Sequence, residues 1–421
     1  MATEATLSTS TPEPTTLPRI STFHSLRYFD YRMLFFGQIG AAGSNWMEQL
    51  ARPLLMLQLT DSALMVGLIT ATRMFPQLIL GVWAGVVADR MDKRRILLLS
   101  KGVTLLMHFT TALIILSGVI EPWMVFVTTF VTGSAMAFDN PARQSLIPRM
   151  VPDDALANAV ALNSAAMQTM RICGPSLAGV VLIFSGLGEL YLLQSIVYVS
   201  VIYCTLRIRT RTEVERREGS SMKSELFEGF AAVQRDKVIL YILLLNLVLF
   251  VFGFPYQHVF VPLIALETLD IGESGAGVLI SVTGIGALTG SLAVATFGDR
   301  LRHRGLIMFV MIGIFATALL FFSRVETVYL AIPALILTGA MQVSFMALNT
   351  SFVLARTAPE LQGRVMSLFS LDRGLVPLGA TIGGVLAAAL GPQDGLTMMA
   401  LMCLGCGVLM AIFLPAIRRI H

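Results

Sequence analysis

Long apolar runs, each ended by a short polar break, follow one another from Met33 almost to the last residues of the chain. A helix needs about 20 mostly apolar residues to cross a hydrocarbon core roughly 30 Å thick, because each residue advances it by about 1.5 Å. Runs of that length predict spans at 33–59, then one descending to Ala88, then 96–118, 122–138, 157–185 and 189–206. Further spans are expected at 238–265, 274–298, 305–323, 327–350, 362–390 and 395–416. The pattern predicts an all-α, polytopic membrane protein with twelve transmembrane helices in two pseudo-symmetric six-helix bundles.

The breaks supply the rest of the organisation. Thr60, Asp61 and Ser62 make an outer turn and a helix start. The link 138–154 carries Pro141, Pro148 and Pro152 among charged residues, which excludes a spanning helix there. Residues 1–20, rich in Ser, Thr and Pro, are expected to form a disordered cytoplasmic tail. The longest polar segment, 207–237, reads as a cytoplasmic linker between an N-terminal bundle (21–206) and a C-terminal bundle (238–421). Within it Leu226, Phe227 and Phe230 share one helical face suited to the membrane surface.

Two charged turns repeat. GVVADRMDKRR occupies 85–95 and TFGDRLRHRG occupies 296–305. Asp299 lies 210 positions after Asp89, and the same offset relates Gly277 to Gly67 and Arg300 to Arg90. That is half the length of a 421-residue chain, so the two halves read as homologous, each with this turn between its second and third spans.

Composition agrees with the pattern. Hydrophobic residues make up 55% and charged residues 13%, against roughly 45–50% and about 25% in soluble domains. The net charge of +4 would suit nucleic acid if it were a surface patch, but its distribution follows the membrane instead. Of the Lys and Arg residues, Arg324 falls in a loop on one side, and Arg52, Arg73, Arg171 and Arg373 fall inside predicted spans. The rest are expected on the other side. That bias places both termini in the cytoplasm and implies no nucleic-acid partner. Cys173, Cys204, Cys403 and Cys406 sit in apolar spans and are expected to pack, not to bind metal. The sequence holds no phosphate-cradling loop of the G-x-x-x-x-G-K-[ST] kind, no metal-ligand cluster and no nucleophile-and-base set. We therefore expect a protein that is not an enzyme, takes no cofactor and draws on an ion gradient.

Charges within spans are the candidate chemistry, since each costs about 2.5–3.5 kcal/mol at the bilayer centre and should face the bundle interior. They are Glu48, Arg52, Arg73, Arg171, Asp372 and Arg373, with His108 and His258 as titratable neighbours. Glu48 and Arg52 are spaced i, i+4 and can pair along one helix face. The 210-residue offset sets Glu48 opposite His258, and both can exchange a proton. With Asp372 they are the expected proton-coupling groups. Arg52, Arg73, Arg171 and Arg373 are expected to line a substrate cavity. Their surplus over the two acids points to an anionic or catechol-like substrate. Spans five and eleven each place an Arg four residues before a Pro, as Arg171 and Pro175 and as Arg373 and Pro377.

The loop formed by Gly85, Asp89, Arg90, Lys93, Arg94 and Arg95 resembles the signature loop of the major facilitator superfamily of secondary transporters. That resemblance implies a gate: Asp89 latches the N-terminal half onto the start of span eleven near Arg364, and Asp139 pairs with an Arg. Asp299 and Arg300 form the second copy. Span five, with Gly174, Pro175 and Gly179, resembles the family's antiporter motif, although Met167 and Met170 stand where that motif has glycines. TDSALMVGL (60–68) and the stretch 140–164 are similar to the bacterial branch that holds the enterobactin exporter and macrolide-efflux proteins. The resemblance implies a monomeric exporter of a small organic molecule in the bacterial inner membrane, driven by proton antiport with alternating access. An importer is the alternative within transport, and a solute sensor that carries nothing is the alternative outside it.

Overall fold

The computed structural model describes residues 23–210, 236–298, 303–357, 365 and 374–414. The expected tail and the patch at Leu226, Phe227 and Phe230 lie outside them. A 3-10 turn at His24–Arg27 leads into α1 (Phe29–Thr60), followed by α2 (Ala63–Arg90) and α3 (Lys93–Leu116). Then come α4 (Pro122–Leu146), α5 (Asp153–Phe184) and α6 (Leu187–Arg207). The second half holds α7 (Lys237–Thr268), α8 (Gly272–Phe297), α9 (Arg304–Ser323), α10 (Val328–Arg356), α11 (Val376–Leu390) and α12 (Pro392–Phe413). Among the described residues there is no strand.

The first helix of each half ends in the same way. Asp61 and Asp270 both take φ +48, the left-handed conformation that short polar side chains tolerate, and each turns the chain into the next helix. α7 differs from α1 in its interior. It passes through π-helical turns at Leu249–Gly253, Tyr256–Phe260 and Ile264–Thr268. Pro255 and Pro262 lie among these turns, and a proline cannot donate to the regular ladder.

Packing repeats between the halves. In the first, α2 packs on α4, α3 on α4 and α6, and α1 on α5 and α6. In the second, α8 packs on α10, and α9 on α10 and α12. The halves meet through α5 against α8 and α2 against α11, a pair of crossings related by the same exchange of halves. Lipid offers apolar side chains as good a home as a neighbouring helix does, so association depends on close approach of small residues. A Cβ on Gly67 would lie 2.5 Å from the Ala380 carbonyl oxygen, and one on Gly277 would lie 2.6 Å from the Pro175 carbonyl oxygen. Both crossings sit near the Asp61 end of the bundle, the expected outer face. Large apolar side chains such as Phe184, Ile196 and Leu409 point outward from the bundle.

Among the described residues, nine helices are long and apolar enough to cross a membrane. The other expected spans differ for identifiable reasons. α1 is long but carries Gln38, Ser44, Glu48 and Arg52 in its buried face, and α4 is rich in Thr and Ser. The start of the expected span at 362–390 lies outside the described residues. One expectation is corrected outright: α4 does not stop at 138 but continues through Pro141 to Leu146, where a 3-10 turn at Ile147–Arg149 follows. The charges of this extension are paired inside the protein, so it does not need to end where the apolar run does.

Candidate functional site

Three polar clusters lie inside the bundle. The first is built on α1, which presents Asn45, Glu48 and Arg52 at spacings of three and four on one face. Arg52 donates to the Glu48 carboxylate along the helix. Arg73 on α2 places Nη2 3.7 Å from the other carboxylate oxygen and also donates to Asn45 Oδ1. His108 on α3 brings Nε2 to 3.3 Å from Glu48 Oε1, at ion-pair range without hydrogen-bond alignment. Tyr191 and Tyr198 on α6 meet the imidazole edge-on, with ring centroids 6.0 and 5.2 Å away. Glu48, Arg52 and His108 are each at least 95% buried. One carboxylate thus holds two guanidinium groups and an imidazole drawn from three helices.

The second cluster lies deeper toward the Arg90 end. Lys101 on α3 sits 2.8 Å from Asp139 on α4, and Arg143, one turn further along α4, faces the other oxygen at 3.7 Å. Arg143 also donates to Asn140 Oδ1 at 2.9 Å. Lys101, Thr104 and His108 share one face of α3 at spacings of three and four, so this face joins the second cluster to the first.

The third cluster spans the two halves. Arg171 on α5 donates through Nη2 to Gln257 Oε1 on α7 and to Gln342 Oε1 on α10, both at 3.2 Å. Its guanidinium stands over the Trp46 ring, 5.4 Å from the centroid, and the Tyr256 hydroxyl lies 3.5 Å from Gln342 Oε1. Close by, Ser176 donates to Ser281 at 2.8 Å, again from α5 to α8. An apolar groove of about 650 Å³ between α9 and α10, lined by Val310, Ile314 and Phe321, contains none of these groups.

Several sequence-based expectations change against this geometry. Glu48 and Arg52 do pair, and Arg73 joins the same carboxylate, so among these three charges one positive charge is left over. His258 is buried on a π-turn of α7 beside the Phe254 ring, and among the described residues no carboxylate lies within ion-pair range of it. His108, expected as a mere neighbour, is the imidazole that reaches Glu48. Asp139 does meet an Arg, Arg143, yet its nearer partner is Lys101, a residue expected only among the cations of the cytoplasmic side. Arg94 donates to the Leu206 carbonyl at 2.6 Å and so caps the end of α6. Gly85, Asp89 and Arg90 fall in the last turns of α2, where only the backbone is described. Asp299, Arg300, Arg364, Asp372 and Arg373 lie outside the described residues. Lys101, Asn45, Gln257 and Gln342 went unread in the sequence. Their signal would have been polar residues in an apolar helix at the spacing of a known in-span charge.

A family model described as transmembrane secretion effector, within the major facilitator superfamily, matches residues 20–420. The chain belongs to this family. It is similar to named transporters along most of its length. The staphyloferrin A transporter of Staphylococcus aureus is 23% identical over 85% of this chain and 88% of its own. Macrolide efflux protein A of Streptococcus pyogenes is 22% identical over 94% and 98%, and the multidrug efflux pump Tap of Mycolicibacterium fortuitum is 25% identical over 92% and 96%. Among solved structures, the nucleoside transporter NupG superposes with a TM-score of 0.71 at 15% identity, covering 93% of this chain and 99% of that one. A POT family transporter superposes with a TM-score of 0.75 at 11% identity, covering 92% and 96%. These structures share the fold of this chain, a multi-pass helical bundle.

Proposed function

We propose that this protein is a secondary exporter that moves a small organic molecule out of a bacterial cell across the cytoplasmic membrane, with a proton entering in exchange. The single observation that carries this reading is the buried carboxylate of Glu48, shared by Arg52, Arg73 and His108. A charge held at that depth without pairing would be too costly to keep, and a carboxylate touching an imidazole is a place where one proton can reside and be handed on. Protonation removes the negative charge that binds two arginines from two helices. The pairing between α1, α2 and α3 therefore loosens or tightens with each proton, which is the coupling an antiporter needs. Two of the named relatives, a macrolide efflux protein and a multidrug efflux pump, support export over import.

The described contacts between the halves run from the Arg171 cluster to the Asp61 end, where the glycine crossings and a bond from Gln58 on α1 to Glu273 on α8 close the bundle. Alternating access then requires those contacts to open while the Arg90 end closes. Asp89 and Arg90, with Asp299, Arg300 and Arg364, form the closing latch at that end, and both termini lie in the cytoplasm beside it. An efflux screen in a host deleted for its own exporters, with siderophores and macrolides among the compounds, tests the reading. Wild type protects the cell or exports a compound and Glu48→Gln does not. Export by Glu48→Gln at the wild-type rate would refute it.

A further inference from the structure

Arg171 is 8% exposed, and among the described residues no carboxylate lies within ion-pair range of it. Its two bonds to protein both leave from Nη2 and both end on glutamine carbonyl oxygens. Because the Gln257 and Gln342 oxygens are used in this way, their amide nitrogens must carry donors directed elsewhere. Among the described residues neither amide nitrogen has an acceptor, and neither does Arg171 Nε. Three buried donor groups on α5, α7 and α10 are thus left without acceptors around a full positive charge. Buried donors are rarely left so, and a buried cation almost never. A purely structural tie between the halves would be better served by an acid or by fewer donors.

We propose that Arg171, Gln257 and Gln342 form a subsite for the carboxylate of an organic acid, at the junction of the two halves. This rests on the exporter reading for its role, and it names the class of molecule carried. A carboxylate supplies one negative charge and two oxygens with paired acceptor directions, which matches one guanidinium flanked by amide donors. A phosphate dianion would remain half-neutralised here. Trp46 beneath the guanidinium and Tyr256 beside Gln342 give the organic part of the ligand aromatic walls. The subsite also lies where Gly284 of α8 approaches the Arg171 backbone, so its occupant touches both halves at their crossing.

Trp46 is a reporter built into the site. The chain has three tryptophans, and Trp83 and Trp123 are exposed on the outside of the bundle, so W83F with W123F leaves Trp46 as the one emitter. In detergent, titration of this protein with benzoate is expected to change its fluorescence saturably, while benzamide, the uncharged isostere, does not. Arg171→Gln should weaken benzoate about ten- to hundredfold, the loss expected for hydrogen bonds to a charged group. Arg171→Lys should lose less. Gln342→Leu, which keeps the cation, should weaken benzoate several-fold and guards against a misfolded Arg171 variant. Benzamide acting as strongly as benzoate, chloride acting as strongly as benzoate, or unchanged benzoate affinity in Arg171→Gln and Gln342→Leu would each overturn the assignment. The titration needs no proton gradient and reads binding alone. Failure of proton coupling and failure of the subsite are therefore told apart.

Discussion

His108 Nε2 stands 3.3 Å from Glu48 Oε1, joining α3 to α1 at the one carboxylate that also holds Arg52 and Arg73. If Glu48 carries the coupling proton as proposed, an imidazole at this point gives that proton somewhere to go. From His108 the polar face of α3 continues through Thr104 to Lys101 and Asp139, toward the Arg90 end of the bundle. Replacing His108 with Phe keeps the aromatic contacts to Tyr191 and Tyr198 and removes both ring nitrogens. We expect that variant to fold and to lose gradient-driven export by tenfold or more, measured as efflux in cells; export at the wild-type rate would take His108 out of the proton path.

Asp139 and Lys101 make a prediction about stability. Removing one partner of a buried pair leaves the other charge uncompensated, at a cost of about 3–5 kcal/mol. Asp139→Asn should therefore lower the thermal unfolding temperature in detergent markedly. Adding Lys101→Met to it should recover much of the loss, although Arg143 stays beside the altered residue. If the double variant is no more stable than the single one, the pair is not what the cluster depends on.

How much of this could be read from the chain is best seen helix by helix. The spans, the half repeat and the Glu48–Arg52 pair were legible because apolar runs and an i, i+4 spacing are local signals. The pairing of Gly67 with α11 and Gly277 with α5 was legible only as an offset, since which helix each glycine meets depends on tertiary packing. Lys101 was misplaced for a physical reason: it lies near the end of a span, where a cation can reach the surface as easily as an interior acid. The α4 extension was missed because Pro141 reads as a stop, yet it costs one donor only and the surrounding charges are paired within the protein. Gln257 and Gln342 carry no charge, so nothing in the sequence linked them to Arg171 across the two halves.

The glycine crossings predict what closes the Asp61 end. Gly67→Leu would force a side chain against the Ala380 carbonyl oxygen and the Gly384 Cα, both backbone atoms that cannot move aside cheaply. The crossing of α2 and α11 should then stay apart. A cysteine at Ala63, whose carbonyl faces Gly384, introduced in a chain without its native cysteines, should react with an impermeant maleimide faster in Gly67→Leu than in Gly67 protein. Equal rates would mean that the crossing does not seal that end.

At the opposite end, Asp89 at the close of α2 is proposed as part of the latch. Asp89→Asn is expected to insert normally and to abolish net export. Wild-type export by Asp89→Asn, measured in the same cells at matched protein levels, would remove the latch from the account.

The central claim is that Glu48 carries the coupling proton, and it is tested most directly in proteoliposomes with a substrate found by the efflux screen. Wild type should accumulate that substrate against its gradient when a pH gradient is imposed, and should also exchange labelled for unlabelled substrate without one. Glu48→Gln should lose the first activity and keep the second, because exchange moves no net proton. Accumulation by Glu48→Gln equal to that of wild type would contradict the account.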